Sequence, residues 1–199
     1  ELNASKLLID EANKGILWRY PDKEGWDEEH EKRLRYELDT IINMGFADYL
    51  LIVKDFLEYG RIIGVVPEEK LYEVPLTIDG AREYVAVHKY KTGIGIGPGR
   101  GSGGGSLVLY LLGITSIDPM QFGLIFERFL NPERVSMPDI DSDFANGVRE
   151  KCIEYTRHKY GEGAVVGIVT LNREGVKGAI RNASTYFGVV NGDDKMYLN

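Results

Sequence analysis

Three aspartates at alternate positions, Asp139, Asp141 and Asp143, are the residues in this sequence best suited to chemistry. They lie in Pro138-Asp139-Ile140-Asp141-Ser142-Asp143-Phe144. In an extended backbone successive side chains point to opposite faces, so the three carboxylates share one face. Three like charges repel and contribute no packing, and a divalent cation relieves that repulsion. Asp139 and Asp141 would stand about 6–7 Å apart, close enough to reach one ion or to bracket a pair. An all-oxygen set favours Mg²⁺ or Mn²⁺. Ile140 and Phe144, on the other face, argue for a segment anchored on a core rather than a bare acidic edge. The same aspartates with Glu150 occupy positions 1, 3, 5 and 12 of a calcium loop. That loop needs glycine at position 6, where this sequence has Phe144, and Pro138 opposes the entering helix.

A second group is rich in glycine. Eight of the 24 glycines fall between Gly93 and Gly105, in the run Gly93-Ile94-Gly95-Ile96-Gly97-Pro98-Gly99-Arg100-Gly101-Ser102-Gly103-Gly104-Gly105-Ser106. Glycine lets backbone N–H groups approach an anion and adopt positive φ. A helix starting at about 102–106 would aim its first N–H groups at that anion. Ser102 adds a hydroxyl and Arg100 a planar cationic fork. No Gly-Lys-Ser/Thr follows, and no acidic residue ends a second strand, so neither a P-loop nor a dinucleotide fingerprint is present. A phosphate cradle 37 residues before a paired-carboxylate strand suggests phosphoryl or nucleotidyl transfer on two metal ions. Arg100, Arg128 and Arg134 are the candidates to offset phosphate charge.

These groups need elements to hold them. Leu7, Leu8, Ile9 and Ala12 open a helix that Pro21 ends. Asp27 suits the cap of a second, in which Leu34, Leu38, Ile41 and Ile42 form one apolar face up to Gly45. Phe46, Leu50, Val53 and Leu57 repeat the period in a third. Residues 65–96 change character: Tyr84-Val85-Ala86-Val87 reads as a strand and Ile78-Asp79-Gly80 as a turn, a β-rich excursion. Helices are expected over Leu107–Leu112, Phe122–Leu130, Arg149–Tyr160 and Asn172–Tyr186, and extended segments over Val135–Phe144 and Val165–Leu171.

The chain has 199 residues, 43% hydrophobic and 28% charged, enough for a sizeable core. One cysteine, Cys152, excludes a disulfide scaffold. No apolar run approaches the ~20 residues of a membrane span, and no signal segment opens the chain. A cytoplasmic address without a membrane partner is expected, and the start at Glu1 reads as a processed chain or an excised piece. The net charge of −7 argues against a simple electrostatic clamp on nucleic acid. The acidity is concentrated: residues 1–70 hold 10 basic and 16 acidic side chains, whereas residues 144–181 hold seven and four.

Three stretches together carry a resemblance: Gly45-Phe46-Ala47-Asp48-Tyr49-Leu50-Leu51-Ile52-Val53, Gly97-Pro98-Gly99-Arg100-Gly101-Ser102, and the run from Phe126-Glu127-Arg128 through Asn131-Pro132-Glu133-Arg134 to Asp139-Ile140-Asp141. The sequence resembles the bacterial C-family replicative DNA polymerases from about residue 31 to 171. The resemblance implies an α/β (α+β) palm like the polymerase-beta nucleotidyltransferases, a mixed sheet backed by helices with N-terminal helices before it. It implies a palm over residues 1–170, with 67–95 inserted, and the start of a truncated thumb over 171–199. Asp139 and Asp141 would be the catalytic metal ligands for Mg²⁺, which Mn²⁺ could replace. Gly101 and Ser102 would contact the incoming triphosphate, and Arg100, Arg128 and Arg134 would lie near the nucleotide and primer end. Asp143 would play a supporting part.

The implied partners are primer–template DNA, a deoxynucleoside triphosphate, the thumb and fingers, and a sliding clamp with other replisome subunits. In that family a third catalytic aspartate follows the pair at a distance, and it is expected beyond Asn199. Asp193 and Asp194 lack its context, and the isolated chain is expected to be inactive. Two other readings stay open: a non-catalytic nucleotide- or nucleic-acid-binding module, and a small self-contained nucleotidyltransferase. The latter would need a third carboxylate, for which Asp118 is the candidate.

Overall fold

The computed structural model describes residues 3–91, 96–133, 137–168 and 173–186. The chain divides into two units, Glu1–Val165 and Val166–Asn199. The larger unit opens with three helices: α1 (Ala4–Arg19), α2 (Glu28–Asn43) and α3 (Ala47–Ile63). Their ends follow the expected chemistry. Asn3 Oδ1 accepts from the Ser5 amide at 3.0 Å, and Asp27 Oδ1 accepts from the Glu29 and His30 amides, both at 3.0 Å. Gly45, at φ +76°, turns the chain from α2 into α3. The apolar faces fall where the helical period puts them: Leu8, Ala12 and Ile16 on α1; Leu34, Leu38 and Ile41 on α2; Leu50, Val53 and Leu57 on α3.

Two apolar cores flank α3. The first joins α1, α2 and α3 to a five-residue helix, α5 (Leu107–Leu111), and to Phe126, Phe129 and Leu130. The second joins Tyr59 and Ile63 of α3 to α4 (Ile78–His88) and α6 (Val148–Tyr160). Tyr59 and Tyr155 stack there at 4.1 Å between centroids. Two glycines permit the closest helix approaches. A Cβ at Gly15 of α1 would collide with the Leu111 carbonyl of α5. One at Gly60 of α3 would stand 2.9 Å from Cys152 Sγ of α6.

The mixed sheet is not there. Among the described residues no strand forms, and the only pairing is an isolated antiparallel bridge between Arg100 and Asp141. The α/β palm expectation is therefore corrected to a helical architecture. The β-rich excursion is also corrected: Tyr84–Val87 lies inside α4, and Glu68–Glu73 forms a 3₁₀ turn. The Thr77 hydroxyl caps α4 through the Gly80 amide at 3.1 Å. Ile78, Ala81 and Val85 then pack on the second core at helical spacing, and that burial overrides the β preference of the valines. The helix expected over Phe122–Leu130 shrinks to a 3₁₀ turn at Phe126–Arg128, because Gly123 at φ +60° breaks the run. Val165–Ile168 forms no strand, and residues 169–171 of that expectation lie outside the described residues. The smaller unit contributes α7 (Val176–Tyr186), inside the helix expected over Asn172–Tyr186.

Candidate functional site

The Arg100–Asp141 bridge sets the site. It lays the glycine segment antiparallel to the aspartate segment, and the Gly97 amide donates to the Asp143 carbonyl at 3.0 Å. Residues opposite one another in an antiparallel pair project to the same side, and the diagonal neighbour two positions on stays within reach of a long side chain. Arg100 accordingly meets Asp143, Nη2 to Oδ1 at 2.8 Å. Gly101 has φ +69°, and a Cβ built there would lie 3.0 Å from Asp141 Oδ2. Both the turn and the carboxylate's approach therefore require glycine at 101.

Asp139, Asp141 and Asp143 are all exposed. Asp143 is matched by Arg100, while Asp139 and Asp141 have no cationic partner among the described residues. Tyr49, in the first turn of α3, stands beside this segment, and burial together with the Asp139 charge pushes its phenol pKa up. No group of three or more His, Cys, Asp or Glu side chains converges as a metal centre among the described residues. Two exposed carboxylates on alternate positions, with oxygen donors uncommitted to cations, fit part of a hard-cation site.

Ser102 is exposed in the 3₁₀ turn Gly101–Gly105. Arg128 is exposed in the turn Phe126–Arg128, and that turn packs on the glycine turn: a Cβ at Gly105 would lie 2.6 Å from the Ile125 carbonyl oxygen. Arg134 lies outside the described residues, as do Gly93, Gly95, Asp193 and Asp194. Asp118 is 5% exposed, and both its oxygens are engaged. The Tyr20 hydroxyl donates to one at 2.7 Å and the Met120 amide to the other at 2.9 Å. It serves the fold, which removes it as the third carboxylate of a self-contained transferase.

The anion expected at the helix start is already supplied from within. Glu37 of α2, fully buried, lies against the first turn of α5. Its Oε1 accepts from the Leu107 amide at 3.0 Å, and its Oε2 from the Val108 amide at 3.0 Å and the Ser106 hydroxyl at 2.7 Å. Arg33, one turn earlier on α2, donates from Nε to Glu37 Oε1 at 2.6 Å. Its Nη2 donates to the Gly105 and Leu124 carbonyls, at 2.8 and 3.0 Å. Burial pushes the Glu37 pKa up, and the amide and side-chain donors oppose that rise. This network clamps the back of the glycine turn, and the α5 amides are closed to any outside phosphate. The motif reading missed it, although Glu37 falls three residues after Leu34 and one before Leu38, on the apolar face. The other end of α5 is closed by cations. Arg19 donates to the Tyr110 and Thr115 carbonyls at 3.0 and 2.7 Å, and Arg61 to the Gly113 carbonyl.

No helix among the described residues is long and apolar enough to cross a membrane. Residues 6–67 and 82–197 match the sequence model of the family described as the bacterial DNA polymerase III alpha NTPase domain. The unmatched stretch, 68–81, falls inside the segment read as inserted. The chain is 43% identical over 185 residues to DNA polymerase III subunit alpha of Aquifex aeolicus, covering 92% of this chain and 13% of that protein. It is 41% identical to the Bacillus subtilis subunit, covering 94% of this chain and 14% of that protein. It is 42% identical to the subunit of Staphylococcus aureus strain MRSA252, covering 96% and 15%. The chain thus spans only a small part of these relatives, and over almost its whole length it belongs to the bacterial DNA polymerase III alpha NTPase-domain family.

Proposed function

We propose that this chain is the nucleotide- and metal-binding part, the palm, of a bacterial replicative DNA polymerase that extends a primer with deoxynucleoside triphosphates. The observation that carries this reading is the antiparallel bridge between Arg100 and Asp141, which sets the glycine turn and its exposed Ser102 against exposed paired carboxylates. In this reading Asp139 and Asp141 hold the divalent cation, Mg²⁺ or Mn²⁺. The cation supplies charge neutralisation at the triphosphate and lowers the pKa of the primer 3′-hydroxyl. Gly101 and Ser102 receive the triphosphate tail. Asp143 fixes Arg100 through one edge of its guanidinium, which leaves further N–H donors for phosphate oxygens. Arg128 sits on the turn that packs on the glycine turn and adds charge toward the nucleotide, and Arg134 is assigned the same duty. Glu37 and Arg33 hold the turn from behind.

Primer–template DNA is the macromolecular partner. Residues 171–199 begin the thumb, and the fingers, clamp and other replisome subunits belong to the parent enzyme. The isolated chain is inactive in this reading. Its net charge of −7 gives little general attraction to a duplex, and two carboxylates leave the metal site incomplete.

Primer extension by the full-length parent enzyme tests the reading. Asp139→Asn or Asp141→Asn abolishes extension, and Arg100→Ala raises the KM for nucleotide while primer affinity holds. An Arg100→Ala enzyme changed only in primer affinity overturns the assignment, as does Asp141-dependent extension by the 199-residue chain alone.

A further inference from the structure

A cavity of about 460 Å³ opens between α1, α3 and the end of α5, and it shares no lining residue with the glycine turn or the aspartates. Its size falls in the range of small-molecule sites, roughly 300–1,000 Å³. Lys14 and Arg19 of α1 and Lys54 and Arg61 of α3 line it, with Glu11 and Glu58. The two acids are already matched. Lys54 bridges both, at 3.0 Å each, Lys14 meets Glu11 at 2.6 Å, and Arg82 meets Glu58.

Arg19 and Arg61 are different. Each is partly buried, and each donates to neutral backbone carbonyls without an acidic ion-pair partner among the described residues. The Asp118 carboxylate that Arg19 feels is held by Tyr20 and Met120. Burial disfavours the Arg61 charge, Arg19 repels it, and Glu58 partly offsets both. Arg61 uses one of its five N–H donors on the Gly113 carbonyl, and Arg19 keeps donors beyond the two it spends. Two guanidinium forks that close no ion pair, with Asp118 and Glu58 acting on them only through longer-range attraction, suit a phosphate better than a neutral ligand. Trp18, half exposed in the same wall, carries the Arg19 guanidinium on its ring at 3.9 Å and offers a stacking surface for a base.

We propose that this cavity binds a phosphate-bearing small ligand, with Arg19 and Arg61 on the phosphate and Lys14 at the mouth. Such an occupant would tighten the glycine segment from behind. Arg19 holds the Thr115 carbonyl, the Ser116 amide donates to the Pro98 carbonyl at 2.9 Å, and Thr115 lies under Gly99.

Calorimetric titration of the 199-residue chain with pyrophosphate, and separately with ATP, tests this in EDTA, where a metal-dependent site is silent. Saturable binding is expected. It weakens at least tenfold in Arg61→Gln and at least threefold in Lys14→Glu, and is unchanged in an Arg100→Ala, Ser102→Ala double variant. Lys14 has a 69% exposed side chain, so Lys14→Glu decides the matter if Arg61→Gln fails to fold. ATP binding tighter than pyrophosphate, with the difference lost in Trp18→Ala, identifies a nucleotide. Equal binding identifies the polyphosphate group itself, and both results support the site. Absence of saturable heat, unchanged affinity in Lys14→Glu, or loss in the Arg100→Ala, Ser102→Ala variant overturns it. That last result would leave the reading of the glycine turn standing.

Discussion

The two sides of the glycine turn are built on opposite principles. Behind it, Glu37 is wholly buried, and two amides, a hydroxyl and a guanidinium converge on its carboxylate. In front, Arg100 and Asp143 make one ion pair with side chains 66% and 48% exposed, and Asp139 and Asp141 face solvent. Exposed ion pairs contribute about 0–1 kcal/mol. Removing one member of a buried, hydrogen-bonded charge pair costs roughly 3–5 kcal/mol. Stability is thus invested behind the turn rather than in the exposed aspartates in front, so the two sides can be altered separately.

The largest expected effect is at the back. Glu37→Ala strands the Arg33 charge and the α5 amides and should lower stability by about 3–5 kcal/mol, read as a fall in the urea midpoint. A loss under about 1 kcal/mol would erase the contrast between the two sides. Cys152, on the face of α6 that packs against α3, gives an intermediate test. Burial pushes its thiol up to about 12. Alkylation at neutral pH should therefore be slow in the folded chain and fast in urea. Because the folded pKa is raised, the stabilisation linked to this thiol is intact below its ordinary value of 9.0. It is lost as pH climbs toward 12. Cys152→Ala should flatten that part of the alkaline stability profile, and fast labelling of the folded chain would contradict the packing. The smallest effect on stability belongs to the front. Asp139→Asn with Asp141→Asn should shift stability by no more than about 0.5 kcal/mol, while abolishing the paramagnetic broadening expected when Mn²⁺ is added to the unaltered chain. Broadening that survives the double change removes both residues from the metal site.

The same contrast explains what could be read from the residues alone. Exposed polar groups announce themselves by type and spacing: the alternate aspartates and the Arg100-Gly101-Ser102 turn stood out in the sequence, and the structure places the two segments side by side. The opening helices were legible because their caps and apolar period agree, as at Asp27 with Leu34, Leu38 and Ile41. Glu37 escaped because a glutamate on a helix is ordinarily solvated, and its burial depends on where α5 comes to rest. The valines of α4 misled because β-branching is a weak preference, reversed here by the helical packing of Ala81 and Val85 on the second core. The sheet failed for a related reason. Alternation at 139–143 predicts an extended segment, but only a partner strand makes a sheet, and one bridge to Arg100 is all that forms among the described residues.

The short helix α5 also governs the order in which the molecule can mature. Its ends are secured by Arg19, Glu37 and Arg61, one side chain from each opening helix, across sequence separations of 52 to 96 residues. During synthesis α1, α2 and α3 emerge before α5, each carrying a charged side chain whose α5 partners have yet to be made. Contacts this distant in sequence form late because their loops must close first. Until residue 115 has been made, Arg19 and Arg61 lack the carbonyls they bind, and Glu37 has only Arg33, on its own helix, as a partner. The arrival of α5 lets the opening helices close, and the glycine turn that immediately precedes it is drawn into place in the same event.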